Sequence, residues 1–381
     1  MKKTTLILAG IALIAASCAK TEVVSSGPDG AEKGISFSAY TARPTKAAQE
    51  DVTTANLTSF QATAIGNSAI YFDNVTFLKN STNNVWESSP AYFWPAYSLD
   101  FVAYNTPIYG TFKRTFKPQS QTITFSPSTN LSEQEDLVAA SAIGKTESDN
   151  NSNKAIPLTF GHYLTQVVVN AKCSNNGYTV VVDGVKLANL AGEGTYTFST
   201  GKMEATSDKV NSSYSSDYSS TFNAKPLNAT PVEVMADATG KWYLVPQTVA
   251  AWKRNSSESA ESATNQMKNS SNGTYLALKV KITSAGGSKV YPVSGDESAW
   301  MAVPVPPQLA FAQGKKYNVT VDFFSNDNNG GAGYVDPEEP GELDGITSTD
   351  DSGKAIVGGV IKFNATVDTW DDNKVDITIF L

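Results

Sequence analysis

The chain has 381 residues, a formal net charge of −8 and only 17% charged residues. That acidic balance argues against nucleic acid as a partner, because neutralising phosphates takes a basic surface. Ser, Thr, Asn and Gly stand where charge is missing, a composition suited to strands and loops rather than helices.

The chain opens on MKKTTLILAGIALIAASCAK. Lys2 and Lys3 give a positive start, and Leu6 to Ile14 is apolar but too short to span a bilayer, which takes about 20 residues. Ala15, Ala16 and Ser17 are small, and Cys18 follows at once, the arrangement that a lipoprotein signal peptidase recognises. Residues 1–17 are read as a signal peptide and Cys18 as the site of lipid attachment, with an ordinary secretory signal and a stray cysteine as the alternative. Residues 18–33 form a polar, flexible tether.

About 360 residues remain, more than one core serves, so two domains are expected, 34–155 and 156–381. In chain order, strands are predicted at 35–42 (ISFSAYTA), 57–66, 69–80, 85–89, 98–105, 110–117 and 121–127, with Asn, Ser, Gly and Pro between them. Residues 133–142 read either as a short helix or as a buried strand around Asp136–Ala139. The segment 156–172 (IPLTFGHYLTQVVVNAK) is the longest β signal of this half. Further strands are predicted at 178–190, 194–200, 241–248, 274–283, 298–306, 315–324, 360–370 and 374–381. Long surface loops are expected at 207–220, 255–273 and 326–353. Many short strands at this spacing predict an all-β fold of two tandem β-sandwiches.

Chemistry is sparse. With Cys18 lipidated, Cys173 has no disulfide partner, and it ends an apolar strand as a small hydrophobe. His162 alternates with Phe160 and Leu164, which reads as a hydrogen-bonded core histidine rather than a catalyst. The acidic loop holds Asp336, Glu338, Glu339, Glu342 and Asp344, but without the spacing of a calcium loop. No metal-ligand cluster, phosphate loop or nucleophile elbow stands out, so no cofactor and no enzyme activity are expected. Tyr92, Phe93, Trp94, Phe101 and Tyr104 crowd into thirteen residues. They read as packing between sheets, with a carbohydrate-binding platform as the alternative.

The order of ISFSAYTAR, TSFQATAIG, YFDNVTF, Trp86, YFWP (92–95) and LDFVAYNTP (99–107) resembles the fimbrillin family of Bacteroidetes, the subunits of type V pili. Asp136–Ala139, Phe160-Gly161-His162, Tyr243–Gln247, the Gly314–Tyr317 strand start and the terminal strand with Trp370 are similar too. The resemblance implies transthyretin-like, Greek-key sandwiches. It implies an outer-membrane lipoprotein precursor that is cut after a basic residue, here Arg43 or Lys46, although Pro44 disfavours a cut after Arg43. A solvated loop is the plain reading of both residues.

Removal of residues through Ala42 would leave an apolar groove with unpaired backbone, a template for strand addition. In the terminal segment KVDITIFL, Val375, Ile377, Ile379 and Leu381 alternate with polar or outward positions, the pattern of a donor strand. Pairing only within its own domain is the other reading. Head-to-tail exchange would propagate into a polymer of such subunits, with a host or bacterial surface receptor as a further partner. The alternative function is a surface lipoprotein that binds host or dietary glycans and does not polymerise.

Overall fold

The computed structural model of the chain describes residues 34–41, 51–151, 154–206, 215–235, 240–250, 273–293, 295, 297–306, 309–326, 330–336, 353–369 and 377–379. Regular structure in them is β, apart from two single helical turns at Leu131–Glu133 and Glu147–Asp149. No helix among the described residues is long and apolar enough to cross a membrane.

The first half supplies β1 (Ser36–Thr41), β2 (Ser59–Gly66), β3 (Ala69–Asn80), β4 (Val85–Ser88), β5 (Leu99–Tyr104), β6 (Thr111–Lys117), β7 (Ser120–Ser126), β8 (Val138–Lys145) and β9 (Ile156–His162). Alternation sets their faces: Phe60, Ala62 and Ala64 of β2 and Leu99, Phe101 and Ala103 of β5 point into one core. β2 turns into β3 through Asn67 and Ser68, both at positive φ (50° and 60°), the two-residue loop whose twist matches a hairpin. Seven strands close into a barrel in the order β1-β4-β3-β2-β5-β8-β9. Closure removes the free edges that an open sheet of this length would expose.

The second half continues with β10 (Thr165–Cys173), β11 (Tyr178–Ala191), β12 (Gly194–Thr197), β13 (Lys202–Ala205), β14 (Ser215–Pro226), β15 (Val232–Glu233) and β16 (Trp242–Leu244). It ends with β17 (Gln247–Thr248), β18 (Tyr275–Ser284), β19 (Lys289–Tyr291), β20 (Ala299–Pro304), β21 (Ala310–Phe311), β22 (Lys315–Phe323), β23 (Tyr334–Val335), β24 (Lys362–Thr369) and β25 (Ile377–Ile379). One sheet runs β15-β10-β22-β24-β25 and another β14-β11-β18-β20-β23. Val169 and Val321 of the first meet Val182 and Leu278 of the second in a shared core. A four-stranded sheet, β13-β12-β7-β6, draws two strands from each half. Its core joins Phe125 and Leu137 to Tyr196 and Tyr243.

The fold departs from the sequence reading in four places. The segment 156–172 is two strands in two different sheets, split only by Tyr163 and Leu164, and a continuous β signal carries no mark of that change of partner. The expected boundary at 155/156 falls just before β9, which pairs with β1 and β8 in the barrel. Ser215–Ser220, read as loop, lies in β14, because the edge of β11 offers its backbone a hydrogen-bonding partner whatever the side chains. The acidic 326–353 stretch also contributes β23, paired with β20. The open choice at 133–142 resolves into a helical turn ending at Glu133 and a strand from Val138.

Candidate functional site

β1 is the strand that closes the barrel. It runs antiparallel to β4, with Phe37 opposite Trp86, and parallel to β9 from Phe37↔Ile156 to Thr41↔Phe160. Ile35, Phe37 and Ala39 face inward and are buried. The Phe37 ring lies 4.8 Å from Phe77, 5.1 Å from Phe101 and 5.9 Å from Phe60, each in an edge-to-face arrangement. Fully burying Ile35 or Phe37 contributes about 1.5–3 kcal/mol each. Ile35 N–H donates to Tyr92 O at 2.6 Å, which pins the start of the strand.

The outward face of β1 is partly roofed. Asn151 Nδ2 donates to Ser38 Oγ at 2.8 Å, and Ser36 Oγ donates to the Lys154 carbonyl at 3.1 Å. Ser38 is therefore buried, whereas Tyr40 is half exposed.

Of the residues predicted from sequence, Cys18, Arg43, Lys46, Val375 and Leu381 lie outside the described residues. Ile377 and Ile379 belong to β25, which pairs antiparallel with β24 of its own chain, from Ile377↔Val367 to Ile379↔Ala365. β25 sits at the edge of its sheet. The structure thus places the β1 seat and the terminal strand in different sheets of one chain.

The aromatic group is mostly core. Trp94 and Phe101 pack in the barrel at 5.7 Å, and Tyr104 faces the core shared with the four-stranded sheet. Phe93 is 37% exposed. His162 Nδ1 sits 2.6 Å from Asp136 Oδ2 with both side chains buried. Cys173 is buried, and burial pushes its thiol pKa up. Asp336 is buried and accepts from Tyr275 Oη at 3.0 Å, while Glu338, Glu339, Glu342 and Asp344 lie outside the described residues. Among the described residues no group of His, Cys, Asp and Glu is placed to hold a metal.

A buried polar junction joins the start of the barrel to the second half, and sequence reasoning missed it. Asp51 Oδ1 accepts from Lys241 Nζ (2.6 Å), Tyr243 Oη (2.8 Å) and Gln166 Nε2 (2.8 Å), and Oδ2 accepts from Lys316 Nζ (3.0 Å). Burial alone would raise the Asp51 pKa, but the two ammonium groups outweigh it and hold the carboxyl well below the usual carboxylate range. Burial pulls Lys241 below its ordinary value, Asp51 offsets only part of that, and the like charge of Lys316 adds a smaller push in the same direction. The Tyr243 N–H donates to Gln134 Oε1, adding a contact from the turn before β8. The only hint in sequence is position: Gln166 and Lys316 are polar residues inside apolar strands.

A sequence profile described as fimbrillin-like matches residues 39–335. Among solved structures, a fimbrial protein from Bacteroides vulgatus superposes with a TM-score of 0.54 at 16% identity, covering 88% of this chain and 99% of that one. A candidate cell adhesion protein from Parabacteroides distasonis gives 0.45 at 8% identity over 91% and 99% of the two chains. One from Bacteroides ovatus gives 0.43 at 15% identity over 78% and 94%. No curated protein matches the sequence.

Proposed function

The chain belongs to the fimbrillin-like family, and on that premise we propose that it is a structural or adhesive subunit of a bacterial surface fimbria. In this reading it is exported as a lipoprotein anchored through Cys18. A protease then cuts after Arg43 or Lys46, β1 leaves, and the vacated seat takes a strand from the terminus of a neighbouring subunit. The barrel, closed by β9, acts as the acceptor unit, and the sheets from β10 onward carry the donor.

The observation that carries the reading is the way β1 closes the barrel. β1 is held by two ladders and three inward side chains, and residues 42–50, the stretch that contains both basic residues, join it along the chain to the strands that follow. Losing it would uncover an apolar slot with a free backbone edge on β4 and on β9, which an extended strand fills by main-chain hydrogen bonds and alternate side chains. Because donor and acceptor are different patches, the contact does not close on itself and grows into a filament.

Two measurements test this. N-terminal sequencing of protein recovered from the cell surface is expected to read from Pro44 or Ala47, not from Cys18. Chains lacking Val375–Leu381 are expected to donate nothing when mixed with protease-treated wild type, so ladders on unheated gels fall away. Undiminished ladders would remove the terminus from the donor role. A Cys18 start without ladders would favour the non-polymerising, glycan-binding lipoprotein instead.

A further inference from the structure

The four-stranded sheet β13-β12-β7-β6 has two edges that differ in how they end. At β13 the Met203 N–H donates to Gln313 Oε1 (2.8 Å), and Gln313 Nε2 donates to the Gly201 carbonyl (3.0 Å), which seals that edge with a side chain. At β6 no strand lies beyond Thr111–Lys117 among the described residues, and no described side chain bonds a backbone N–H there. An open edge of seven residues is a template for a further strand.

The two faces of β6 specify what such a strand would carry. Lys113, Thr115 and Lys117 stand on the exposed face, opposite Thr124, Thr122 and Ser120 of β7. No described acid pairs with either lysine. Arg114, on the other face, is already held by Asp73, at 2.6 and 2.7 Å. In a chain of net charge −8, three cations and no acid in TFKRTFK make this edge an outlier that favours an acidic neighbour. Phe112 and Phe116 share the inner face and pack on Tyr104 at 5.8 and 5.5 Å, yet the open edge leaves both only half-buried. A strand laid alongside would cover them.

Lysines on an edge also serve as a plain guard against unwanted pairing. β6 carries more than a guard requires. The turn that feeds it presents Ile108, 83% exposed, and Tyr109, 47% exposed. Glu135 Oε2 accepts from both of their N–H groups, at 2.6 and 2.7 Å. Gly110 follows at φ +82°, so close to β7 that a Cβ would lie 2.3 Å from the Ser126 carbonyl. A guard gains nothing from a fixed apolar anchor at its entrance, whereas a docking edge does, because little is left to order on binding.

We propose that the open edge of β6 docks an extended segment of a partner protein in which acidic and apolar residues alternate. Its acids lie beside Lys113 and Lys117, its apolar side chains cover Phe112 and Phe116, and its end rests on Ile108 and Tyr109. This edge belongs to a different sheet from β1, and the docking does not need the strand exchange read above.

The full chain is titrated, by fluorescence anisotropy, with a labelled peptide as long as β6 that alternates glutamate and valine, and with its lysine–valine counterpart. The glutamate peptide is expected to bind, and to loosen as salt rises, while the lysine peptide does not bind. Lys113→Glu together with Lys117→Glu alters only exposed side chains and keeps the β6–β7 ladder, which an unchanged melting temperature verifies. It is expected to weaken the glutamate peptide about tenfold and to admit the lysine peptide. Hydrogen exchange is expected to slow across 111–117 when the glutamate peptide binds, and to stay as it was in β13. Equal binding of the two peptides, indifference to the double reversal, protection that spares 111–117, or no binding of the glutamate peptide each overturns the proposal.

Discussion

Replacing Phe37 by alanine separates the two states of the proposed assembly. In the uncut chain the Phe37 ring is fully buried against three other rings. Truncating a core phenylalanine costs about 3–5 kcal/mol. Each well-placed aromatic pair adds about 0.5–1.5 kcal/mol beyond area, so the upper part of that range is expected here. For a unit of this size each kcal/mol moves the melting temperature by about 2–4 °C, which gives a fall of roughly 8–20 °C. Urea unfolding followed by tryptophan fluorescence is suited to the measurement, because Trp86 lies 6.2 Å from Phe60 in the same barrel. The assembled polymer is expected to unfold like wild type, since position 37 departs with the excised segment. A loss below ~1 kcal/mol in the uncut chain would mean that the ring does not fill the barrel as described. An equal loss in the polymer would mean that β1 never left.

The Asp51 junction predicts an acid-sensitive stability. A carboxyl whose pKa is lowered by folding contributes stability that is fully present above its unfolded value, about 3.9, and is lost as pH falls through the folded value. Asp51→Asn is expected to cost about 3–5 kcal/mol at pH 7, because Lys241 is left buried without its counter-charge, and to shrink the difference between urea midpoints at pH 7 and pH 3. An unchanged pH dependence would show that Asp51 is not the titrating group. Cys173, with its thiol pushed up by burial, is expected to resist iodoacetamide at pH 8 until urea unfolds the chain. Rapid labelling of the folded protein would place it at the surface.

Much of the β structure was legible because one-sided burial writes itself as period-two alternation. The 69–80 segment became β3 with the same ends, and β1, β2, β5, β7 and β11 fell within a residue or two of their predicted limits. What could not be read was partnership over distance. β1 pairs in parallel with a strand more than a hundred residues away, and nothing in ISFSAYT announces IPLTF as its neighbour. Asp51 is equally opaque. It stands in a polar stretch between the strands predicted at 35–42 and 57–66, and its partners at 166, 241, 243 and 316 come together only when three strands of another sheet do. β14 shows the opposite failure, a serine-rich segment whose strand state is imposed by the edge it meets. The resemblance in sequence pointed to the family before any contact was known, whereas the burial of Ser38 on the outward face of β1 needed the roof of Asn151 over it.

Only Tyr163 and Leu164 separate β9 from β10, and Leu164 is buried. In a filament assembled as proposed, pull arriving on an inserted strand passes to β9 by a parallel ladder, then along covalent backbone into β10. From there it crosses to β22 and β24 before leaving by the terminus. Strands pulled lengthwise resist in shear, with many hydrogen bonds loaded at once rather than unzipped in turn. A two-residue join without glycine gives little room for a hinge. Each subunit would therefore behave as a stiff link, and the compliance of the fibre would reside in the short segments between one subunit and the next.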